Sequence, residues 1–365
     1  MFESSEFAVK TSCGAYRVLI GADVVAGQLH ESSVAWLVDA NVARLHSNLL
    51  PASYIGLRAI ESEKNFESIA RIVEQLRDLG STRDTRLIAV GGGIVQDLAT
   101  FAASCYMRGI PWTYLPTTLL SMVDSCIGGK SSINVGRYKN IAGNFYPPKE
   151  VLIDTGFCST LTSEQIAEGL CEAAKICYAA SDNAFTAYLA YVNASDLPPA
   201  GAQLAGIIRH SLETKKRFIE EDEFDQGVRL LLNFGHTFGH AIEGASSYAI
   251  SHGIAVGLGM LAAAHCSVRL GYASAELSNV ASLSRHIRFL LRAIPSVAAN
   301  LRVIRPEEAM AFFQSDKKHS AHSFILILFD AQGRLQQVKV PRSAAIRAVL
   351  LSTFHHLCEH YDEIQ

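Results

Sequence analysis

Leu87-Ile88-Ala89-Val90-Gly91-Gly92-Gly93-Ile94-Val95-Gln96-Asp97 reads as a strand, a glycine turn and the start of a helix. The short apolar run suits a strand covered on both faces, and Ile94 to Met107 carries on as a helix. Glycines at such a junction let a backbone approach a pyrophosphate. The helix N-terminus adds unsatisfied N–H groups and the positive end of its dipole. The spacing is not Gly-x-Gly-x-x-Gly, so a tight turn needing positive φ is the competing explanation for Gly92 and Gly93.

Outward from this stretch the same alternation recurs. Ala35-Trp36-Leu37-Val38-Asp39 is a strand ending on an acid, and Phe66 to Leu79 has helical periodicity. Trp112-Thr113-Tyr114-Leu115 is a strand stopped by Pro116. Beyond a polar, Gly-rich section from Asp124 to Pro148, Val151-Leu152-Ile153-Asp154 is another. Strands alternating with helices argue for a parallel, Rossmann-like sheet. From Thr162 helices dominate: Glu164 to Ala180, Pro199 to Phe218, Ala241 to Ala245, Ile254 to Leu270, Leu277 to Ile294 and Ala344 to Tyr361. One hairpin interrupts them, Ser323 to Phe329 with Leu335 to Val340. The expected fold is therefore α/β: an N-terminal Rossmann-like parallel-sheet domain over 1–161 and a mostly α-helical C-terminal domain over 162–365. The cleft between them is the default active site.

A chain of 365 residues that is 49% hydrophobic and 18% charged describes a well-buried globular enzyme. The formal net charge of -3 gives no electrostatic footprint for nucleic acid. The apolar stretch from Ile254 to Cys266 is too short to span a bilayer. Eight cysteines are scattered without a Cys-x-x-Cys pair, a pattern that suits reduced thiols. The first residues lack a signal-peptide apolar region, so the expected location is the cytoplasm.

In Leu232-Asn233-Phe234-Gly235-His236-Thr237-Phe238-Gly239-His240, two histidines lie one helical turn apart, and His252 follows. Spacing alone points to His236 and His240 as joint ligands on one face, since a catalytic zinc takes three protein ligands and keeps one open position. Glu172 and Lys175 share a face of an otherwise apolar helix, where unpaired charge is expensive. Glu172 is thus a further metal candidate, and an intrahelical ion pair with Lys175 is the alternative. Lys130 in Gly128-Gly129-Lys130 and Lys139-Asn140 suit an anionic, phosphorylated ligand, as does Arg108 in Tyr106-Met107-Arg108-Gly109. A helix-terminal cation explains Arg108 equally well. Asp39 fits either a ribose-hydroxyl acceptor or a helix N-cap. Lys215 and Arg229 bracket the acidic run Glu220-Glu221-Asp222-Glu223, which by itself reads as solvated loop charge.

Taken together these motifs resemble the sugar phosphate cyclases, and among them the 3-dehydroquinate synthases. The likeness runs from about Asp39 to Lys318 through Gly91-Gly92-Gly93-x-x-x-Asp97, Pro116-Thr117-Thr118, Asp124-Ser125-x-x-Gly128-Gly129-Lys130, Glu172-x-x-Lys175, Gly235-His236-Thr237-x-Gly239-His240, His252-Gly253 and Asp316-Lys317-Lys318. It implies a homodimeric lyase of the shikimate pathway that uses NAD and zinc or cobalt. Its reaction takes 3-deoxy-D-arabino-heptulosonate 7-phosphate to 3-dehydroquinate and phosphate. That route is transient oxidation, phosphate β-elimination, re-reduction and aldol closure.

By the same resemblance Glu172, His236 and His252 hold the metal. NAD lies against Asp39, Asn41, Glu61, Lys64, Gly92, Gly93, Asp97, Thr117, Thr118, Asp124, Ser125, Lys130, Lys139, Asn140, Thr160, Leu161 and Glu164. The phosphate meets Lys130, Asn140, His240, one of Lys317 and Lys318, and Arg108 from a second copy. Lys215 and Arg229 take the carboxylate, and Lys175 and Asn233 the hydroxyl-bearing carbons.

Two departures from the family pattern fall on its substrate-covering loops. Phe224 stands where an arginine is usual, and His319-Ser320-Ala321-His322-Ser323 and Asp330-Ala331-Gln332-Gly333 replace Gly-containing turns. The alternatives are a sister cyclase, such as an amino-3-dehydroquinate synthase, a metal-dependent alcohol or glycerol dehydrogenase, or a non-catalytic NAD-binding paralogue.

Overall fold

A computed structural model of the chain describes residues 4–25, 33–136, 138–193, 198–292 and 294–362. It separates into two compact units. One comprises Met1–Leu161 with Ala194–Phe224, the other Thr162–Asn193 with Asp225–Gln365. The switch at Thr162 is built by a capping box: Thr162 Oγ1 accepts the Gln165 N–H at 3.2 Å, and Gln165 Oε1 accepts the Thr162 N–H at 3.0 Å. A single boundary between 1–161 and 162–365 does not hold, because the segment Ala194–Phe224 groups with the first unit.

The first unit contains a seven-stranded sheet. Its strands are β1 (Ser5–Thr11), β2 (Gly14–Gly21), β3 (Val34–Asp39), β4 (Ile55–Leu57), β5 (Arg86–Gly91), β6 (Trp112–Pro116) and, after a small antiparallel pair of β7 (Ile133–Val135) and β8 (Tyr138–Ala142), β9 (Glu150–Asp154). The order is β1-β2-β9-β6-β5-β3-β4; β1 and β2 are antiparallel, and the other pairings are parallel. β6 and β9 are buried along their whole length, which is why their centres read as apolar stretches rather than alternating ones, with Thr113, Glu150 and Asp154 as buried polar exceptions. The N-terminal hairpin and β4 were not apparent from sequence, being edge elements with little apolar signal.

Among its helices are α1 (Ala40–Leu45), α2 (Phe66–Asp78) and α3 (Gly93–Cys105). α2 turns Ile69, Ile72 and Leu76 inward from an N-cap at Asn65. α3 stops two residues before the expected Met107. A tight turn over Tyr106–Arg108 follows, with positive φ at Met107, Arg108 and Gly109.

α4 (Ser163–Ala180) and α5 (Asp182–Asn193) belong to the second unit, and α6 (Gly201–Glu221) returns to the first, against β1 and β2. Glu220 and Glu223 accept the backbone N–H groups of Lys10 and Ser12 at 2.9 and 2.7 Å. Two carboxylates of the acidic run thus staple the hairpin turn, while Glu220 and Glu221 also stay exposed to solvent.

The second unit is helical: α7 (His236–Ala245), α8 (His252–Arg269), α9 (Ser278–Arg292), α10 (Pro295–Val303), α11 (Pro306–Gln314) and α12 (Ala344–His360), with the hairpin of β10 (Ser323–Phe329) and β11 (Leu335–Pro341). The single helix expected from Leu277 to Ile294 ends at Arg292, and Pro295 opens α10 at its first position. α8 is buried from Gly253 to Ala263, and α4, α7, α9, α12 and β10 pack around it.

Candidate functional site

In the first unit the candidate cofactor residues gather where the parallel strands end. Gly91 and Pro116 are register partners at the ends of β5 and β6, and the Thr117 N–H donates to the Gly91 carbonyl at 3.1 Å. None of Gly91, Gly92 and Gly93 has positive φ. They are required by proximity: a Cβ on Gly91 would lie 2.4 Å from Val95 Cγ2, and one on Gly92 3.1 Å from Thr118 Cγ2. The turn explanation fails, and the bare N-terminus of α3 at Gly92 is left open to an approaching anion. Ser125 is fixed beside it by donating to Gln96 Oε1 at 2.6 Å.

Around this turn Lys64 Nζ lies 3.1 Å from Asp97 Oδ2 and donates to Asn140 Oδ1 at 2.6 Å. Glu61 is drawn in at 3.8 Å from Lys64 Nζ and 3.7 Å from Lys139 Nζ. Burial pushes the Asp97 carboxyl up to about 6, against the pull of Lys64. A hollow of about 510 Å³ opens beside the cluster, lined by Glu61, Asn65, Phe66 and Asn134 among others. Asp39 is a cap: its Oδ1 accepts the Asn41 N–H at 3.0 Å.

Lys215, on α6, reaches Asp124, its Nζ at 2.5 Å from the carboxylate and 2.6 Å from the backbone carbonyl. Gly129 takes φ +64 with Pro147 N 3.0 Å from where a Cβ would sit, so only glycine makes this turn. Lys130 follows, over the Phe145 ring at 5.9 Å, and Phe224 meets that ring edge-on at 5.2 Å. Arg108 is exposed, held in the left-handed region, and forms no ion pair among the described residues. The helix-terminal explanation for it also stands, since Arg108 closes the short helical turn over Tyr106–Arg108 that follows α3 directly. Thr160 Oγ1 is 3.0 Å from His46 Nε2, and Leu161 closes the segment. Glu164 lies in the second unit, accepting from the Ser251 hydroxyl at 3.0 Å.

The second unit carries the metal-type cluster, and glycines again set the distances. Gly235 caps α7 at φ +78. A Cβ on Gly259 would lie 1.9 Å from the Gly235 carbonyl, one on Gly239 2.8 Å from the Ala255 carbonyl, and one on Gly253 2.6 Å from the Glu168 carbonyl. α7, α8 and α4 therefore touch backbone to backbone, which carries His236, His252 and Glu172 together. Their ligand atoms all lie within 4.8 Å of one another. His252 Nε2 is 3.6 Å and His236 Nε2 3.9 Å from Glu172 Oε1.

Each ring is oriented by its other nitrogen. His236 Nδ1 faces the Phe234 carbonyl at 3.2 Å, and His252 Nδ1 faces Glu243 Oε2 at 3.3 Å. This is the outer-shell support that ligating imidazoles need. Burial, reinforced by Lys175, lowers His236 well below the usual range, so its ring is neutral and its lone pair available. Burial opposes protonation of His252 too, but Glu243 and Glu172 outweigh it and raise its pKa. Two neutralisable imidazoles and a buried carboxylate fit a zinc-like cation.

His236 and His240 do not join one ligand group, despite their spacing. His240 falls instead with Glu243 and His252, its Nδ1 3.6 Å from Asp316 Oδ2. Asp316 and Glu243 are functional-looking residues the sequence reading passed over. Asp316 stands in the quoted Asp316-Lys317-Lys318 motif without a role, and Glu243 lies one turn beyond His240 on the same helix.

Lys175 is buried and ion-paired to Glu172, the alternative noted for that pair, now inside the cluster. Lys318 Nζ is buried without a hydrogen-bond partner, whereas Lys317 is exposed. Burial lowers the Lys318 pKa against the attraction of Asp316 and Asp225. Arg229 is buried, and Asn233 donates to the Leu230 carbonyl at 3.1 Å.

Two family models match the chain, 3-dehydroquinate synthase N-terminal over residues 54–168 and C-terminal over 169–319. A 3-dehydroquinate synthase of Xylella fastidiosa strain M12 is 37% identical over 333 residues, covering 89% of this chain and 85% of the relative. That of Xanthomonas axonopodis pv. citri strain 306 is 35% identical over 331 residues, covering 88% of each.

Among solved structures, a 2-deoxy-scyllo-inosose synthase complexed with carbaglucose-6-phosphate, NAD+ and Co2+ superposes with TM-score 0.81 at 23% identity, over 95% of this chain and 99% of that one. The 2-epi-5-epi-valiolone synthase of Streptomyces hygroscopicus subsp. jinggangensis 5008, with NAD+ and Zn2+ bound, gives 0.78 at 25%, over 93% and 97%. A probable glycerol dehydrogenase from Sinorhizobium meliloti 1021 gives 0.59 at 13%, over 93% and 96%.

Proposed function

The chain belongs to the 3-dehydroquinate synthase family, and from this we propose how its residues divide the work of turning 3-deoxy-D-arabino-heptulosonate 7-phosphate into 3-dehydroquinate and phosphate. The enzyme is a carbon–oxygen lyase of the shikimate pathway. The observation that carries the assignment is the Glu172–His236–His252 group with both ring Nδ1 atoms tethered.

NAD and a zinc or cobalt ion, when bound, supply reversible hydride transfer and Lewis-acid polarisation of a substrate hydroxyl. Glu172, His236 and His252 hold the ion. Lys64, Asp97, Thr117, Thr118, Ser125, Lys139 and Asn140 would surround the dinucleotide, and the open N-terminus of α3 at Gly92 and Gly93 would receive its pyrophosphate. Asp39, Asn41, Glu61, Asp124, Thr160, Leu161 and Glu164 complete the cofactor contacts.

Lys130, His240 and Lys318 take the phosphate; the buried ammonium of Lys318 favours it over Lys317. Lys215 and Arg229 take the carboxylate, and Lys175 and Asn233 the hydroxyls. Their shared task is to hold one geometry while the phosphate leaves and the ring closes. The cytoplasm is the proposed location, supported by eight cysteines that form no disulfide. No described helix is long and apolar enough to cross a membrane. The enzyme works as a homodimer in which Arg108 serves the neighbouring site, a reading supported by its exposed, strained turn.

Purified protein with NAD and zinc should release phosphate from the heptulosonate with no net gain in NADH absorbance. Accumulating NADH would identify a dehydrogenase instead. Faster turnover of the amino analogue than of the heptulosonate would identify the sister cyclase.

A further inference from the structure

We propose a second divalent-cation site in the helical unit, formed by His240, Glu243 and His252 and sharing His252 with the site already described. His240 and Glu243 lie three apart on α7 and so share a face, and His252 opens α8 opposite them. One ligand atom from each falls within 4.8 Å of the others. Ligands on a tetrahedral zinc stand roughly 3.5 Å apart, so small side-chain rotations close the group. His240 has 41% of its side chain exposed, and the rotation exchanges its contact with Asp316 Oδ2 at 3.6 Å for the ion.

The arrangement turns on the two nitrogens of His252. Nε2 faces Glu172 at 3.6 Å and Nδ1 faces Glu243 at 3.3 Å, so the ring stands between two carboxylates. With one ion bound, Nδ1 keeps its proton and donates to Glu243. A second ion displaces that proton to solvent and makes the ring a bridge. Two imidazole nitrogens and one carboxylate suit zinc or cobalt better than magnesium or calcium. The neighbouring ion and the Lys318 ammonium both repel the newcomer, so the second site is the weaker.

Occupancy has a consequence that rests on the function proposed above. It withdraws His240 from the substrate phosphate, so excess metal inhibits the enzyme that a first equivalent activates.

The test is cobalt titration of metal-stripped, full-length protein, followed by calorimetry and the visible cobalt absorption. Zinc per chain is counted by mass spectrometry after dialysis. Wild type should take two equivalents, the second about a hundredfold more weakly. His240→Ala should take one with the tight step unchanged, and Glu243→Gln should also lose the weak step. One equivalent in wild type at saturation, or an undiminished weak step in His240→Ala, overturns the second site. His236→Ala bears on the first site alone: a surviving tight step there would refute the Glu172–His236–His252 assignment and leave the second site to the other two variants.

Discussion

Lys318 offers the sharpest perturbation, because its folded environment and its proposed task pull in opposite directions. Its ammonium is buried with no hydrogen bond, and Asp316 and Asp225 only partly offset the lost hydration. Replacing it with Met keeps the length of the side chain and removes the buried charge. An uncompensated buried polar group costs about 1–3 kcal/mol, so Lys318→Met should gain roughly that much stability. For a unit of this size that corresponds to a rise in Tm of about 2–9 °C.

The sign can be checked through pH. A lysine whose folded pKa lies below its unfolded value binds fewer protons folded than unfolded between the two. Wild-type stability should therefore rise with pH across the alkaline range just below the usual lysine pKa, and the Met variant should not share that rise. Thermal unfolding over this range, with and without inorganic phosphate, is the assay. Phosphate at about 100 times its Kd should add about 2.7 kcal/mol to wild type and almost nothing to the variant, while turnover collapses. A variant that melts several degrees lower would show that Nζ supports the fold. A variant that keeps its phosphate response would refute the anion role.

Gly259→Ala places a methyl 1.9 Å from the Gly235 carbonyl and should cost at least about 3 kcal/mol, with zinc retention lost in step; a normal melting curve would contradict the close packing of α7 on α8. Asp97, raised to about 6, binds its proton more tightly folded than unfolded, so wild-type stability should fall by about 3 kcal/mol as pH rises from about 4 to about 6. Asp97→Asn should lack that fall in denaturant titrations and should weaken NAD by about tenfold or more, as loss of a charge-assisted contact predicts. Arg229→Lys keeps the charge but not the forked donor, so KM for the heptulosonate should rise by about 10-fold or more while Tm stays within a few degrees. An unchanged KM would remove Arg229 from carboxylate binding.

The core strands were legible because parallel strands covered on both faces carry apolar centres, as β3, β5, β6 and β9 do, with Asp39, Arg86, Glu150 and Asp154 confined to strand ends. The β1–β2 hairpin was not, since an edge strand such as Ser5–Thr11 alternates weakly and buries little. α10 and α11 escaped because nine residues give too few turns for a period to emerge. The glycine run was located correctly but for a reason only coordinates supply: side chains close in on Gly91 and Gly92, and φ stays negative. The histidines show the limit of periodicity. One turn of helix does bring His236 and His240 within ring contact, 5.4 Å between centroids. Which of them faces Glu172 is decided by the helix–helix contact at Gly235, Gly239 and Gly259, information spread over three segments of chain.

The return of α6 to the first unit has a consequence for biosynthesis. Ribosomes deliver the sheet and its glycine turn by Leu161, yet Lys215 and the two glutamates that pin the N-terminal hairpin emerge only some fifty residues later, at about 5–20 residues per second. In the interval the nascent chain carries an unfinished α/β body while the first helices of the other unit are already emerging. Maturation is thus interleaved rather than sequential. A shortened product ending at Leu161 would lack both the cover on β1 and β2 and the cation that Asp124 holds.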